Sequence, residues 1–197
     1  MVQAVDIPVT VKMRRGLRPG DMDPAENAKR FEDAGAAMIT IHPRAAADEY
    51  SGTADHSISA RVVQAVDIPV VISGDIADAA GAREAMQMTG AAGVMIGRAA
   101  LGNPWVLGAI ARGEADPRPA TAEVVDELMG FSEGIAHLIG PDRACHYLRK
   151  FHAWYLAGRG IPDDEVQALV EEPTFEGAMA RLQRLRHGVA VTGPAAA

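Results

Sequence analysis

The sequence predicts an α/β fold: the C-terminal half of a (β/α)8 TIM barrel followed by an all-α helical region. Three observations carry this expectation. Short apolar strands alternate with helices over roughly the first half of the chain, which indicates a parallel sheet. Each strand ends in polar, charged or glycine residues, which is how barrel enzymes furnish their rim. From Ala120 onward only helical periodicity remains. The expected organisation is residues 1–111 as a partial barrel carrying the last four strands, 112–119 as a charged, proline-rich linker, and 120–197 as helices.

The strands are expected at Val9–Met13, Met38–Ile41, Val70–Ile72 and Gly93–Ile96. Between them, Asp23 caps a helix over Pro24–Ala34 with proline at its first position, apolar spacing marks a helix over Ser57–Val66, and Gly90 closes a third over Ala79–Met88. An open doubly wound sheet also alternates in this way; the positions of the polar motifs favour the barrel. A repeat supports the register. Val2–Val9 and Val63–Val70 both read Val-Gln-Ala-Val-Asp-Ile-Pro-Val, and in the second copy this segment ends a helix and starts a strand. By internal analogy the first copy is the tail of a helix whose body would precede Met1, so the chain is expected to begin inside the fold. Past the linker, helices are expected over Ala122–Leu138 with Thr121 as cap, Asp142–Leu156 and Phe175–His187.

Composition narrows the function classes. With 48% hydrophobic and 23% charged residues, a packed globular protein is expected rather than a disordered one. The formal net charge of −7 argues against a generally basic nucleic-acid binder and leaves room only for a local basic face. A single cysteine, Cys145, excludes an internal disulfide and a multi-cysteine zinc site; no metal is expected, and a reducing, cytoplasmic setting fits. No apolar run reaches bilayer-spanning length, so no membrane partner is expected.

The rim residues define candidate chemistry. Ser73-Gly74-Asp75 and Gly97-Arg98 are glycine turns after successive strands. Glycine lets backbone N–H groups approach phosphate oxygens and Arg98 adds charge-assisted bonds; the plainer reading is two ordinary βα loops. Lys12, by strand alternation, points to the barrel interior or mouth, where its ammonium needs an anion such as the N1–C2 carbonyl region of a reduced flavin, or else it snorkels to solvent. His42 either hydrogen-bonds a cofactor or is a satisfied core histidine.

Val11–Gly16, Thr40–Arg44, Tyr50–Asp55, Ser73–Ile76 and Met95–Trp105 together resemble bacterial tRNA-dihydrouridine synthases in content, order and spacing, with Gly97-Arg98-Ala99-Ala100-Leu101-Gly102-Asn103-Pro104-Trp105 the most specific run. The resemblance implies an FMN enzyme that uses NADPH to reduce the C5–C6 double bond of uridine in tRNA. It places Lys12, His42, Ser73, Gly74, Asp75, Gly97 and Arg98 at the flavin and its phosphate, and Arg14 and Arg44 along the substrate site. Ser73 stands where the family often has asparagine, and Pro43 where many members carry glycine or alanine. The family's general-acid cysteine belongs to the first four strands, so no catalytic residue is assigned here and Cys145 does not inherit the role.

The helical region is where the family grips tRNA. No acidic residue occurs from Arg143 to Pro162. Arg143, Arg149, Lys150 and His152 are the expected tRNA contacts, beside an apolar stripe of Ala144, Leu148, Phe151 and Tyr155. Two other functions compete: a flavin- or phosphate-binding barrel acting on a small metabolite, and a noncatalytic tRNA-binding remnant that self-associates through its cut barrel edge.

Overall fold

Parallel pairing of four short apolar strands organises the first part of the chain. In the computed structural model, residues 1–49, 51–115 and 119–189 are described; Tyr50 of the Tyr50–Asp55 run, residues 116–118 of the expected linker and residues 190–197 of the expected helical region lie outside them. Strands β1 (Thr10–Arg14), β2 (Met38–His42), β3 (Val70–Ser73) and β4 (Gly93–Met95) form one sheet in sequence order, with every neighbouring pair parallel. Helices α1 (Pro24–Asp33), α2 (His56–Ala65) and α3 (Ala79–Thr89) join them, and α4 (Trp105–Arg112) follows β4.

The period-two alternation of the strands decides which side chains meet the helices. Ile39, Ile41, Val70 and Ile72 are buried in a core with Ala28 of α1, Val62 of α2 and Ala82 and Ala85 of α3. Met13, Val94 and Ile96 pack against its margin. The intervening residues of each strand occupy the opposite face.

Aspartates cap all three connecting helices. Asp23 accepts from Ala25 N at 3.0 Å, Asp55 from Ser57 N at 3.0 Å and Asp78 from Gly81 N at 2.7 Å. Because Asp55 caps α2, that helix begins one residue earlier than Ser57. Gly90 ends α3 in the left-handed region at φ +71°. The two copies of the repeat both pass from a helical turn into extended backbone. Val2–Ala4 is a 3₁₀ turn and the second copy ends α2 at Ala65; the next residue is extended in both, with φ −144° at Val5 and −130° at Val66.

Contacts divide the chain into two units, residues 1–100 with 105–116, and 101–104 with 117–197. The second contains α5 (Thr121–Ile139), α6 (Pro141–Leu156), α7 (Asp163–Val170) and α8 (Phe175–Val189). Val124, Val125, Leu128, Leu148, Leu156, Leu169 and Leu182 are among its fully buried residues. Thr121 does not cap α5 as expected: its hydroxyl donates to Arg159 O, and Ala120 holds the cap position without a side-chain bond. Helices α4 and α7 were not expected. The first is apolar nearly all round and lacks a cap signal; the second is a short helix behind Pro162. Gly102, at φ +71°, is required because a Cβ there would run into the Trp154 carbonyl and come within 2.8 Å of Tyr155 N.

One expected tRNA contact is overturned by burial. His152 is 2% exposed, on the core-facing side of α6 with Ala144, Cys145, Leu148, Tyr155 and Leu156. Neither ring nitrogen has a hydrogen-bond partner among the described residues, and burial pushes its pKa down to about 4. His152 is therefore a neutral core residue, not a phosphate contact. The unfolded chain takes up a proton near pH 6.5 and the folded one only near 4. Stability is therefore full above the unfolded value and falls as pH drops between the two, by about 2 kcal/mol at pH 5. Urea melts at pH 7 and pH 5 check this: His152→Leu should flatten the difference, and an unchanged pH dependence would refute it.

Candidate functional site

Register converts the alternation into a site. Lys12 pairs with Thr40, Thr40 with Val71 and Val71 with Gly93, which forms one row across the face away from the helix-packed core. One step further along the strands, Arg14 pairs with His42 and Ser73 with Met95. The strands are parallel, so all four carboxyl ends lie at one edge of the sheet, where a cavity of about 530 Å³ opens. Lys12, Arg14, His42, Ser73, Gly74, Asp75, Gly97 and Arg98 all line it, so the structure brings together every expected cofactor residue and Arg14. Ile76, Ala77, Met95, Ile96 and Ala99 add an apolar wall that the polar motifs had not indicated.

Lys12 lines the cavity as an exposed side chain rather than a buried ammonium. Arg14 is partly committed elsewhere: its Nη1 donates to Ala45 O at 2.7 Å. Beside it, Arg15 pairs with Asp48 at 3.0 Å, and Asp48 also accepts from Ala45 N at 2.8 Å. The two arginines thereby fasten the loop after β2 to the end of β1.

His42 stands among cations. Burial is the main effect and lowers its pKa; the Ser73 carbonyl at 3.2 Å from Nδ1 opposes this, and Arg14, Lys12 and Arg44 push it down further. The ring is thus held neutral. With Nδ1–H donating to Ser73 O, the tautomer assigned from that partner leaves Nε2 as an acceptor.

Asp75 does the most to shape the rim. At φ +52° it sits in the left-handed region, directly after Gly74 at φ +123°, where a Cβ would lie 2.8 Å from that of Ala54 and 3.2 Å from the His42 ring. Its carboxylate accepts from Arg44 at 2.6 Å and Ala54 N at 2.7 Å, and lies 3.6 Å from Arg98. Burial raises its pKa, but the Ala54 and Arg44 bonds and the charges of Arg44 and Arg98 outweigh it, so the pKa is lowered overall and Asp75 stays ionised.

Arg44 does not line the cavity. It is 4% exposed and also donates to Ser51 O at 3.1 Å and Gly52 O at 2.5 Å. It supports the rim from behind instead of offering itself to substrate. Sequence reasoning missed His56, whose Nε2 lies 3.0 Å from Gly74 O; its position just after the Asp55 cap was the available signal. On α6, Arg143 and Lys150 are exposed, whereas Arg149 is half-buried with its Nε unpartnered among the described residues. Cys145 is buried, its thiol donates to Glu172 O, and burial raises its pKa. Among the described residues, no group of three or more His, Cys, Asp or Glu is placed to hold a metal, and no helix is long and apolar enough to cross a membrane.

A parallel βα sheet with cations and glycine turns gathered at its strand carboxyl ends defines the class: an α/β protein with its candidate site on the sheet rim. A family model for dihydrouridine synthases matches residues 1–186, and the chain belongs to that family. It is 45% identical over 166 residues to a probable tRNA-dihydrouridine synthase of Rhodobacter capsulatus, covering 82% of this chain and 51% of the relative. It is 39% identical over 188 residues to a probable tRNA-dihydrouridine synthase of Mycobacterium tuberculosis (93% and 48%), and 37% identical over 159 residues to tRNA-dihydrouridine synthase B of Xanthomonas axonopodis pv. citri (79% and 48%). The chain spans about half the length of these curated relatives.

The Asp75 arrangement is testable without a ligand. Asparagine tolerates the left-handed backbone, so Asp75→Asn removes mainly the charge that Arg44 and Arg98 face. It should cost on the order of 2 kcal/mol in urea denaturation, because Arg44 stays buried with a weaker partner. Wild-type stability in that variant would show that the two carbonyls hold Arg44 unaided.

Proposed function

We propose that this chain supplies the flavin-phosphate rim and an RNA-binding helical region of a tRNA-dihydrouridine synthase, the four strands forming the C-terminal half of a (β/α)8 barrel. The whole protein reduces uridine in tRNA to 5,6-dihydrouridine with FMN and NADPH. The observation that carries the reading is the convergence of Lys12, His42, Ser73, Gly74, Asp75, Gly97 and Arg98 on one cavity in a member of the dihydrouridine synthase family.

The residues fit FMN. The cavity is of ligand size, and its lining combines Lys12, Arg14 and Arg98 with an apolar wall suited to a flat ring system. At Gly97 a Cβ would meet nothing within 4 Å among the described residues, which leaves room for an oxygen to approach the backbone. When bound, FMN supplies hydride chemistry. In this reading Arg98, steered by Asp75, binds the phosphate; Lys12 contributes positive charge beside the ring; neutral His42 accepts through Nε2.

Cys145 does not provide the proton that uracil reduction needs. It is buried in the helical unit, and its pKa is raised. We therefore infer that the 197-residue chain binds flavin and RNA but does not turn over without an acid from elsewhere.

Two measurements on the purified chain test this. FMN should bind more tightly than riboflavin, and Arg98→Ala should narrow that preference by about 10- to 100-fold, the worth of one charged hydrogen bond. Affinity for unmodified tRNA should fall as salt rises, and charge reversal at Arg143 and Lys150 should weaken it. Equal affinity for FMN and riboflavin would remove the phosphate site. FMN binding without any salt-dependent tRNA affinity would favour a small-metabolite enzyme.

A further inference from the structure

Helix α6 carries a surface stripe that the rim chemistry does not use. Arg143, Tyr147, Lys150 and Trp154 follow one another at spacings of four, three and four residues, which stacks them on one face of a helix of 3.6 residues per turn. The stripe thus alternates cation, aromatic, cation, aromatic. It stands apart from the core-facing residues Ala144, Leu148, His152 and Tyr155.

The aromatic members are exposed yet firmly held. Tyr147 is 43% and Trp154 40% exposed, an unusual allocation for two large rings on one helix. Phe151 braces both: its ring lies 5.3 Å from Tyr147 and 5.2 Å, edge-on, from Trp154. Phe151 in turn packs 5.0 Å from Phe131 of α5, which stacks 6.2 Å from buried Tyr155. A continuous ring ladder therefore runs from the core of this unit to its surface. Lys150 lies 4.6 Å from the Tyr147 ring centre, so its ammonium is positioned beside a π face.

The charge pattern selects a ligand. The protein carries a net −7, yet residues 143–162 include no acidic side chain. A partner with both anionic groups and flat π faces matches the alternation: phosphates beside Arg143 and Lys150, bases on Tyr147 and Trp154. Seven residues of helix separate the two rings by about 10 Å, roughly three times the ~3.4 Å per nucleotide of a stacked strand. A base inside a duplex is already stacked on both faces, so either ring can take only an unpaired base.

We propose that the α6 stripe is a stacking platform for unpaired nucleotides of RNA, with Tyr147 and Trp154 each taking a base, Lys150 holding the backbone between them and Arg143 the backbone beyond Tyr147. This rests on the reading of an RNA substrate and specifies which RNA structure the helical unit holds: a single-stranded stretch, not a duplex.

The full chain is titrated with single-stranded oligouridylate and with the same oligomer paired to oligoadenylate, following tryptophan fluorescence. The single strand should quench the emission and the duplex should not. Trp154→Phe should abolish the quench while binding persists, which separates Trp154 from Trp105. Tyr147→Ala should weaken oligouridylate binding by about 5- to 150-fold, equivalent to ~1–3 kcal/mol, without changing the salt slope. Lys150→Ala should instead reduce that slope by about one. Circular dichroism of these surface variants confirms that the fold is kept.

Equal binding of duplex and single strand, or an unaltered affinity in Tyr147→Ala, overturns the stacking platform even if tRNA binds. Quenching by oligouridylate without tRNA affinity upholds the platform and removes the tRNA-substrate reading instead.

Discussion

Parallel strand pairing is the constraint on which the first unit depends. Because all four strands run the same way, their carboxyl ends and the loops that follow must emerge at one edge. Because side chains alternate, the register that buries Ile39, Ile41 and Ile72 against the helices also sends Lys12, Thr40 and Val71 to the other face. A slip of one residue in any pair would exchange core for rim. The apolar core therefore fixes where the cations stand, and the cavity follows from the packing on the opposite side of the same sheet.

The rim is then held by electrostatics rather than by apolar contact. Asp75 gathers Arg44, Ala54 N and Arg98, and tolerates a left-handed backbone to do so. Arg44 is consumed in this task, with three oxygen partners around a buried guanidinium. Arg44 and Arg98, expected along the substrate site and at the phosphate respectively, thus divide into one that supports the rim and one that lines the cavity. Arg14 combines both roles, lining the cavity while its Nη1 is tied to Ala45 O, whereas Lys12 reaches the cavity as an exposed side chain.

The second unit shows a comparable split along a single helix. On α6, the face toward the other helices takes Leu148, His152 and Leu156, while the outward face takes Arg143, Tyr147, Lys150 and Trp154. His152 is the position at which residue type misled: a histidine beside Arg149 and Lys150 in sequence reads as part of a basic patch, but its angle around the helix delivers it to the core. The expected apolar stripe of Ala144, Leu148 and Tyr155 already contained that information, because it fixed the buried direction.

The sequence by itself determined the order of the four strands and of the three helices between them, the Asp23 cap, the Gly90 stop and the residues that meet at the strand ends, because each follows from local periodicity or from a side chain bonding its own neighbours. The family was legible for the same reason: its motifs are short and local. Only tertiary structure decided that Arg44 pairs with Asp75, that Thr121 bonds Arg159 rather than its own helix, that His152 is buried, and that Tyr147 and Trp154 are braced on the surface by Phe151. Those outcomes depend on contacts between residues distant in the chain or on angles around a helix axis. Charge and hydrophobicity along a sequence name the candidates for a contact; the packing of the remaining chain decides which partner each one meets.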